Sequence, residues 1–436
     1  MAEPLRIALA GLGTVGAGVI RLIETNARLI SARAGRDIVI TAVSARDRTK
    51  DRGVDLAPYA WEDDMTALAK RDDVDVVVEL VGGSDGPALA LARSALDAGK
   101  ALVTANKAMI AHHGIALAEM AEAKEAALKF EAAVAGGIPV VKGLREGTSA
   151  NALERIYGIL NGTCNYILST MEDTGADFGE VLADAQRLGY AEADPTFDIE
   201  GIDAAHKLAI LAAIGFGARI DFESVRTTGI TRVKAADIAQ AEALGFVIRL
   251  IAMTDVEEDA NGAPQLLQRV RPCLVSKDHP LASVDGPTNA VVAEGNFSGR
   301  LLFQGAGAGD GPTASAVVAD IIDIARDEVG APFSIPVAQL VAMAPHEPGH
   351  RMERTYIRFT VADRPGVLAE ITAAMRDAGV SIESLIQKGR ADEGDEVLVA
   401  MVTHEGPERC IREALDLLDG SESLTAPPLV LPLLRD

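Results

Sequence analysis

The run from Ala185 to Lys207, AQRLGYAEADPTFDIEGIDAAHK, gathers Glu192, Asp194, Asp198, Glu200 and Asp203 around one turn and sets Lys207 one helical turn after Asp203. Carboxylates at that density suit an ammonium group, and a lysine among them can move a proton when its pKa is lowered by burial or by a second cation. The competing reading of Asp203 and Lys207 is an i,i+4 surface pair worth roughly 0.3–0.5 kcal/mol. The stretch after Lys207 (LAILAAI) is too apolar for an exposed helix, which places the pair at the border of a buried site. Two further stretches offer chemistry: Thr104-Ala105-Asn106-Lys107, and Glu131 followed by Ala132-Ala133-Val134-Ala135-Gly136-Gly137-Ile138-Pro139. Cys164, in Asn161-Gly162-Thr163-Cys164-Asn165, could be a thiolate nucleophile, but that chemistry needs a paired base and the nearest histidine, His206, adjoins Lys207 instead.

Near the N-terminus, Gly11-Leu12-Gly13-Thr14-Val15-Gly16 stands between an apolar strand (5–10) and a helical pattern (17–29). The first glycine permits the turn, the second lets a pyrophosphate approach the backbone, and the third lets helix and strand pack closely. The helix N-terminus, with Thr14 and Val15, turns free N–H groups toward phosphate. After the second strand (38–43), Arg46 is placed to meet a 2′-phosphate, while Asp47 lies one step too far along to hold a ribose hydroxyl. NADP is therefore expected, with NAD also admissible.

These residues require elements to hold them. Strands at 5–10, 38–43, 74–80 and 101–104 alternate with helices, the last of them over 87–98, so residues 1–145 read as a doubly wound, Rossmann-like α/β domain with Lys107 at the carboxyl edge of its sheet. Residues 146–329 read as an α+β domain that contains the 185–207 run. Its expected strands are 152–160, 246–254 and 266–275, and its expected helices begin near 166, 179 and 202. The glycine-rich turn 305–312 launches a helix over 313–325. Residues 330–353, with four prolines, read as a linker. From 354 to 436 a βαββα order with a turn at 389–394 and a closing strand near 429–431 forms a small ferredoxin-like module.

Composition agrees with a soluble globular protein able to bury a full core. The chain has 436 residues, 48% hydrophobic and 24% charged, with a formal net charge of −23. That acidity argues against nucleic acid or an anionic membrane as partner. Three distant cysteines with no CxxC pair fit a reducing cytoplasm, and the apolar stretch 208–218 is too short to span a bilayer.

The 185–207 run, together with the glycine fingerprint, Asn106-Lys107, Glu131 to Pro139, Asn161-Gly162-Thr163 and Gly305 to Thr313, resembles homoserine dehydrogenase over about residues 5–325. The resemblance implies NAD(P)-dependent interconversion of L-homoserine and L-aspartate 4-semialdehyde, with residues 146–329 as the catalytic and dimerisation domain and its last helix returning to the first domain. It implies Lys207 as proton carrier beside Lys107 and Asp203, and substrate binding by Glu192, Asp198, Asp203 and the backbone of Gly189. Cofactor contacts extend from Gly11, Gly13, Thr14, Val15, Gly16 and Arg46 to Lys107, Gly307 and Gly309. It further implies a monovalent cation, sodium in type, at Glu131 and the carbonyls of Val134, Gly136 and Ile138. Asp363-Arg364-Pro365-Gly366-Val367, joining strand to helix, is similar to the ACT domain. That likeness implies an effector site at Asp363, Gly366 and Val367, L-threonine as feedback inhibitor, and a homodimer or homotetramer. The alternatives are an oxidoreductase on a related semialdehyde and a silent nucleotide-binding sensor; Lys207, Asp203 and Lys107 separate them from the leading reading.

Overall fold

Strand Leu5–Ala10 feeds directly into the helix Thr14–Thr25, because Gly11 takes φ +95° and Gly13 caps the helix with extended backbone. The computed structural model describes residues 2–259, 261–346, 349–388 and 396–435. The helix expected over 17–29 begins three residues earlier and is two helices, Thr14–Thr25 and Ala27–Ala34, broken at Asn26, whose φ of −106° and ψ of 17° leave the helical region. Among the described residues, six parallel strands form the first sheet in the order 60–61, 38–44, 5–10, 76–79, 101–104, 128–129. The central strands Val76–Glu79 and Ala101–Thr104 are buried at every position, as a sheet covered on both faces requires.

The second sheet runs Gly299–Ala306, Thr288–Gly295, Leu153–Ile159, Phe246–Glu258, Pro264–Ser276, Ala344–Pro345, with Arg226–Thr227 also pairing to the long strand 264–276. The hairpin 288–306 was not legible in the sequence, where glycines flank and interrupt it. Helix Ile202–Phe216 lies beneath this sheet and is buried at every position from Asp203 to Ile214, so it is apolar nearly all round. Helix Gly162–Thr174 starts four residues before the expected position because the Asn161 side chain accepts from Cys164 N and caps it. The last helix of this region begins at Asp310, not 313, after Gly309 at φ +120°. Its Ala314, Val317 and Ile321 join Ile7, Val19 and Ile20 in the core of the first domain.

The stretch expected as a linker is laid down on the protein. Phe333 is fully buried, Val337 and Leu340 join the core, Ala344–Pro345 adds to the second sheet, and Met352–Glu353 pairs with Gly406–Pro407. The C-terminal module has four antiparallel strands in the order 382–388, 396–403, 355–362, 424–432. The expected turn at 389–394 lies outside the described residues. The closing strand, Leu424–Pro432, is longer than expected. Strand Thr355–Ala362 shows period-two burial on both faces: Ile357, Phe359 and Val361 meet the module's helices, while Tyr356 and Arg358 meet the helix Ala235–Ala243 of the preceding domain. Among the described residues no helix is long and apolar enough to cross a membrane.

Candidate active site

A cleft of about 1090 Å³ runs from Val15 at the glycine fingerprint, past Lys107, Asp203 and Lys207, to the glycine turn Gly305–Gly309. Each glycine of the fingerprint has a different steric reason. A Cβ on Gly11 would stand 2.6 Å from the Leu80 carbonyl oxygen and one on Gly16 2.1 Å from that of Gly11, whereas Gly13 has no atom within 4 Å of that position. The open space at Gly13, beside a helix N-terminus, is the cradle a pyrophosphate needs.

Lys107 enters as the first residue of the helix Lys107–Ala123. Asn106 caps that helix by accepting from Met109 N, and buried Glu79 anchors the loop through Thr104 Oγ1 at 2.6 Å. From the opposite side, Ile202–Phe216 delivers Asp203 and Lys207, which are 4% and 8% exposed. The surface-pair reading of these two residues is thereby excluded. Asp203 bridges the two lysines: Oδ2 accepts from Lys207 Nζ at 2.7 Å and Oδ1 lies 3.0 Å from Lys107 Nζ. Lys207 Nζ also donates to the Leu160 carbonyl at 2.7 Å, so two of its three ammonium donors are used and one remains. Burial, and then Lys107, pull the Lys207 pKa down against the upward pull of Asp203. Burial would raise the Asp203 carboxyl, but Lys207 and Lys107 outweigh it and hold the group well below the usual carboxylate range.

Asp198 also lines the cleft, its carboxyl pushed upward by burial and by Asp203. Asn161 Nδ2 donates to both Asp198 (2.8 Å) and Asp203 (2.9 Å), a tie that sequence reasoning missed although the Asn-Gly-Thr start of a capped helix could have shown it. Gly189, at φ +81°, ends the helix Phe178–Leu188 and lines the cleft. Glu192 is exposed and outside the lining, and Asp194 caps its own turn by accepting from Thr196. Gly307 and Gly309 line the cleft beside Thr313.

The nucleophile reading of Cys164 fails. Its thiol is buried, donates to the Asp198 carbonyl at 3.2 Å, and has its pKa raised far above the ordinary value by burial and then by Asp198 and Asp203. His206 does not reach it; that ring stacks on Phe222 and meets His112, and burial lowers its pKa to about 4. Arg46 is exposed after the second strand. Two neighbours were missed: the Arg48 and Arg52 guanidinium groups lie 5.7 and 5.9 Å from the Trp61 ring centroid, and Arg52 Nε donates to the Leu12 carbonyl within the glycine loop at 2.9 Å.

Behind the cleft, Glu131 is 2% exposed, accepts from the N–H groups of Val141 and Lys142, and has its pKa raised to about 7 by burial and Asp320. The adjoining loop turns through Ala135 and Gly136, both at φ +55°, and Gly137 N donates to the Ala306 carbonyl. In the C-terminal module, Gly366 has φ +99° and starts the helix Val367–Asp377, with Asp363 exposed and Val367 buried.

Comparison with known proteins gives the family. Three family models match: "Homoserine dehydrogenase, NAD binding domain" at residues 11–131, "Homoserine dehydrogenase" at 139–322 and "ACT domain" at 355–416. A homoserine dehydrogenase of Mycobacterium tuberculosis is 44% identical over 423 residues, covering 96% of this chain and 95% of its own. The crystal structure of a homoserine dehydrogenase from Thiobacillus denitrificans superposes with a TM-score of 0.92 at 39% identity over 99% of both chains. A hyperthermophilic archaeal homoserine dehydrogenase in complex with NADPH gives 0.63 at 26% identity, over 76% of this chain and all of that one.

Proposed function

The chain belongs to the homoserine dehydrogenase family and is an oxidoreductase with an NAD(P)-binding domain and an ACT domain, and from that premise we propose how its own residues carry the reaction and its control. The observation that carries the reading is the buried Asp203 carboxylate held between Lys107 and Lys207 in the cleft that joins both glycine loops. A bound nicotinamide cofactor supplies the hydride chemistry. Toward semialdehyde, neutral Lys207 takes the proton of the homoserine hydroxyl; toward homoserine, its ammonium form protonates the developing alkoxide. Lys107 adds positive charge beside the reacting oxygen, and Asp203 keeps both lysines in register. Asp198, with Gly189 beside it in the lining, receives the substrate ammonium, while Glu192, exposed and outside the lining, is the second carboxylate only by the family resemblance.

Gly11, Gly13, Thr14, Val15 and Gly16 hold the pyrophosphate of the cofactor. Arg46, with Arg48 and Arg52, supports NADP over NAD, in line with the archaeal relative whose structure holds NADPH. Glu131 and the carbonyls of Val134, Gly136 and Ile138 form a hard-oxygen set. Among the described residues no donor reaches the Val134 or Gly136 carbonyl, whereas that of Ile138 accepts from Val140 N at 2.7 Å; burial and Asp320 push the Glu131 carboxyl up against the opposing pull of Lys142. A monovalent cation such as sodium fits there. L-Threonine binding at Asp363, Gly366 and Val367 would inhibit by favouring an inactive state. A homodimer or homotetramer in the cytoplasm completes the reading; the edge strand Gly299–Ala306, paired on one side only among the described residues and with Phe297 89% exposed beside it, supports self-association.

The test is reduction of L-aspartate 4-semialdehyde followed by NADPH absorbance, with and without threonine. Lys207→Ala should lower turnover at least about 10²-fold while NADPH binding persists. A folded Lys207→Ala enzyme with near-normal turnover removes Lys207 from the mechanism, and indifference of the wild-type enzyme to threonine removes that effector.

A further inference from the structure

Asn289, near the start of the strand Thr288–Gly295, is 1% exposed at the wall of the catalytic cleft. Its Nδ2 donates at 3.0 Å to the Leu160 carbonyl, the same oxygen that accepts from Lys207 Nζ at 2.7 Å. Its Oδ1 is buried and has no hydrogen-bond partner among the described residues. On its other side the amide packs against the glycine turn, where a Cβ on Gly307 would stand 2.2 Å from Asn289 Cγ. One buried side chain therefore touches both the acceptor of the proton carrier and the loop on the cofactor side of the cleft.

A carbonyl oxygen has lone pairs for two donors, but both draw on the same electron density. The amide N–H weakens the hold of that oxygen on an ammonium group and places its own positive end nearby. A hydrogen bond that favours the charged form of a group raises its proton affinity if the group is a cation, and weakening the bond lowers it. We propose that Asn289 is a positioning residue for the dehydrogenase reaction: through the shared Leu160 carbonyl it keeps Lys207 ready to lose its proton, and through Gly307 it holds the glycine turn at the distance that setting requires. The proposal rests on the reading of Lys207 as proton carrier. The other groups facing Lys207 are Asp203 on its own helix, Lys107 on the helix Lys107–Ala123, Asp198 on the turn Thr196–Ile199 and the Cys164 thiol on Gly162–Thr174. Among the described residues the Asn289 side chain forms no hydrogen bond with any of them.

The experiment is the pH dependence of kcat/KM for homoserine oxidation in the wild-type, Asn289→Ala, Asn289→Asp and Lys207→Met enzymes, with NADPH binding as the check on folding. In Asn289→Ala the Leu160 carbonyl serves Lys207 alone, so the limb that rises with pH should move upward by roughly half to one pH unit. Asn289→Asp keeps the shape and replaces the donor by an anion, so its limb should move further in the same direction. A limb that stays in place in both Asn289 variants, while Lys207→Met is inactive, overturns the role of Asn289 and leaves the proton carrier standing. Retained turnover in Lys207→Met overturns both. A fall in kcat without movement of the limb marks a purely structural contribution and also overturns the proposal.

Discussion

At the scale of single residues, the site is decided by charges that have little water to share. Asp203 is held ionised by two lysines, and Lys207 is made easier to deprotonate by burial and by Lys107. Glu131 and Asp320 behave in the opposite sense, with pKa values raised to about 7 and about 6 by burial. Both carboxyls bind protons more tightly in the folded than in the unfolded chain. Their contribution to stability is therefore complete below the unfolded carboxylate range near pH 4–5 and is lost as pH rises through 6 to 7. Without added salt of a small monovalent cation, the melting temperature should fall between pH 5 and 8. Sodium should restore it at pH 8 and do little at pH 5. A melting temperature that ignores sodium at pH 8 would rule out a cation at Glu131. Among the arginines, Arg46→Ala should weaken NADPH by roughly 10-fold or more, the worth of a charge-assisted bond, and leave NADH nearly unchanged. Arg52→Ala should weaken both, because Arg52 also holds the Leu12 carbonyl of the glycine loop. Equal losses of NADPH and NADH in Arg46→Ala would show that another group reads the 2′-phosphate.

At the scale of elements, the glycine loops divide into positions that fill space and positions that leave it open. Gly16 is packed against the Gly11 carbonyl, so Gly16→Val should push the helix Thr14–Thr25 off its strand and lower the melting temperature. Gly13 faces open space, so Gly13→Val should fold normally and lose cofactor affinity. Circular dichroism melts paired with cofactor titration separate the two outcomes. The helix Ile202–Phe216 illustrates how an element sets chemistry: because it is buried on all sides, the pair at 203 and 207 is forced to be either neutralised or functional.

At the scale of the whole molecule, the C-terminal module is bound into the catalytic region by more than a tether. Arg358 Nε donates at 2.7 Å to Asp237, which is fully buried and also accepts from Tyr356. Arg269 pairs with Glu408, Arg271 with Glu353 and Arg351 with Asp255 across the same seam. Arg358→Met leaves Asp237 without its cation in a buried place, and the expected loss is about 3 kcal/mol or more by denaturant melt. A chain ending at residue 353 should be less stable for the same reason, so loss of threonine control is better sought with Gly366→Leu in the full-length protein. Wild-type stability in Arg358→Met would show that the seam carries little energy.

Local pattern determined much of this protein without any fold in view. The strand–GxGxxG–helix unit, the alternation that makes a parallel sheet, the βαββα module and the Asp203–Lys207 spacing all follow from short-range rules of backbone geometry and periodicity. Other features depended on chain segments far apart in sequence. Lys107 meets Asp203, Asn289 shares the Leu160 carbonyl with Lys207, and Arg358 finds Asp237 only once the sheets have paired. The hairpin 288–306 was hidden because glycines flank and interrupt it, and the docking of 333–345 because its apolar residues are held by distant neighbours rather than by a local pattern. Sequence periodicity reports which face of an element is apolar; which partner covers that face, and therefore which charges lose their water, is settled by tertiary packing.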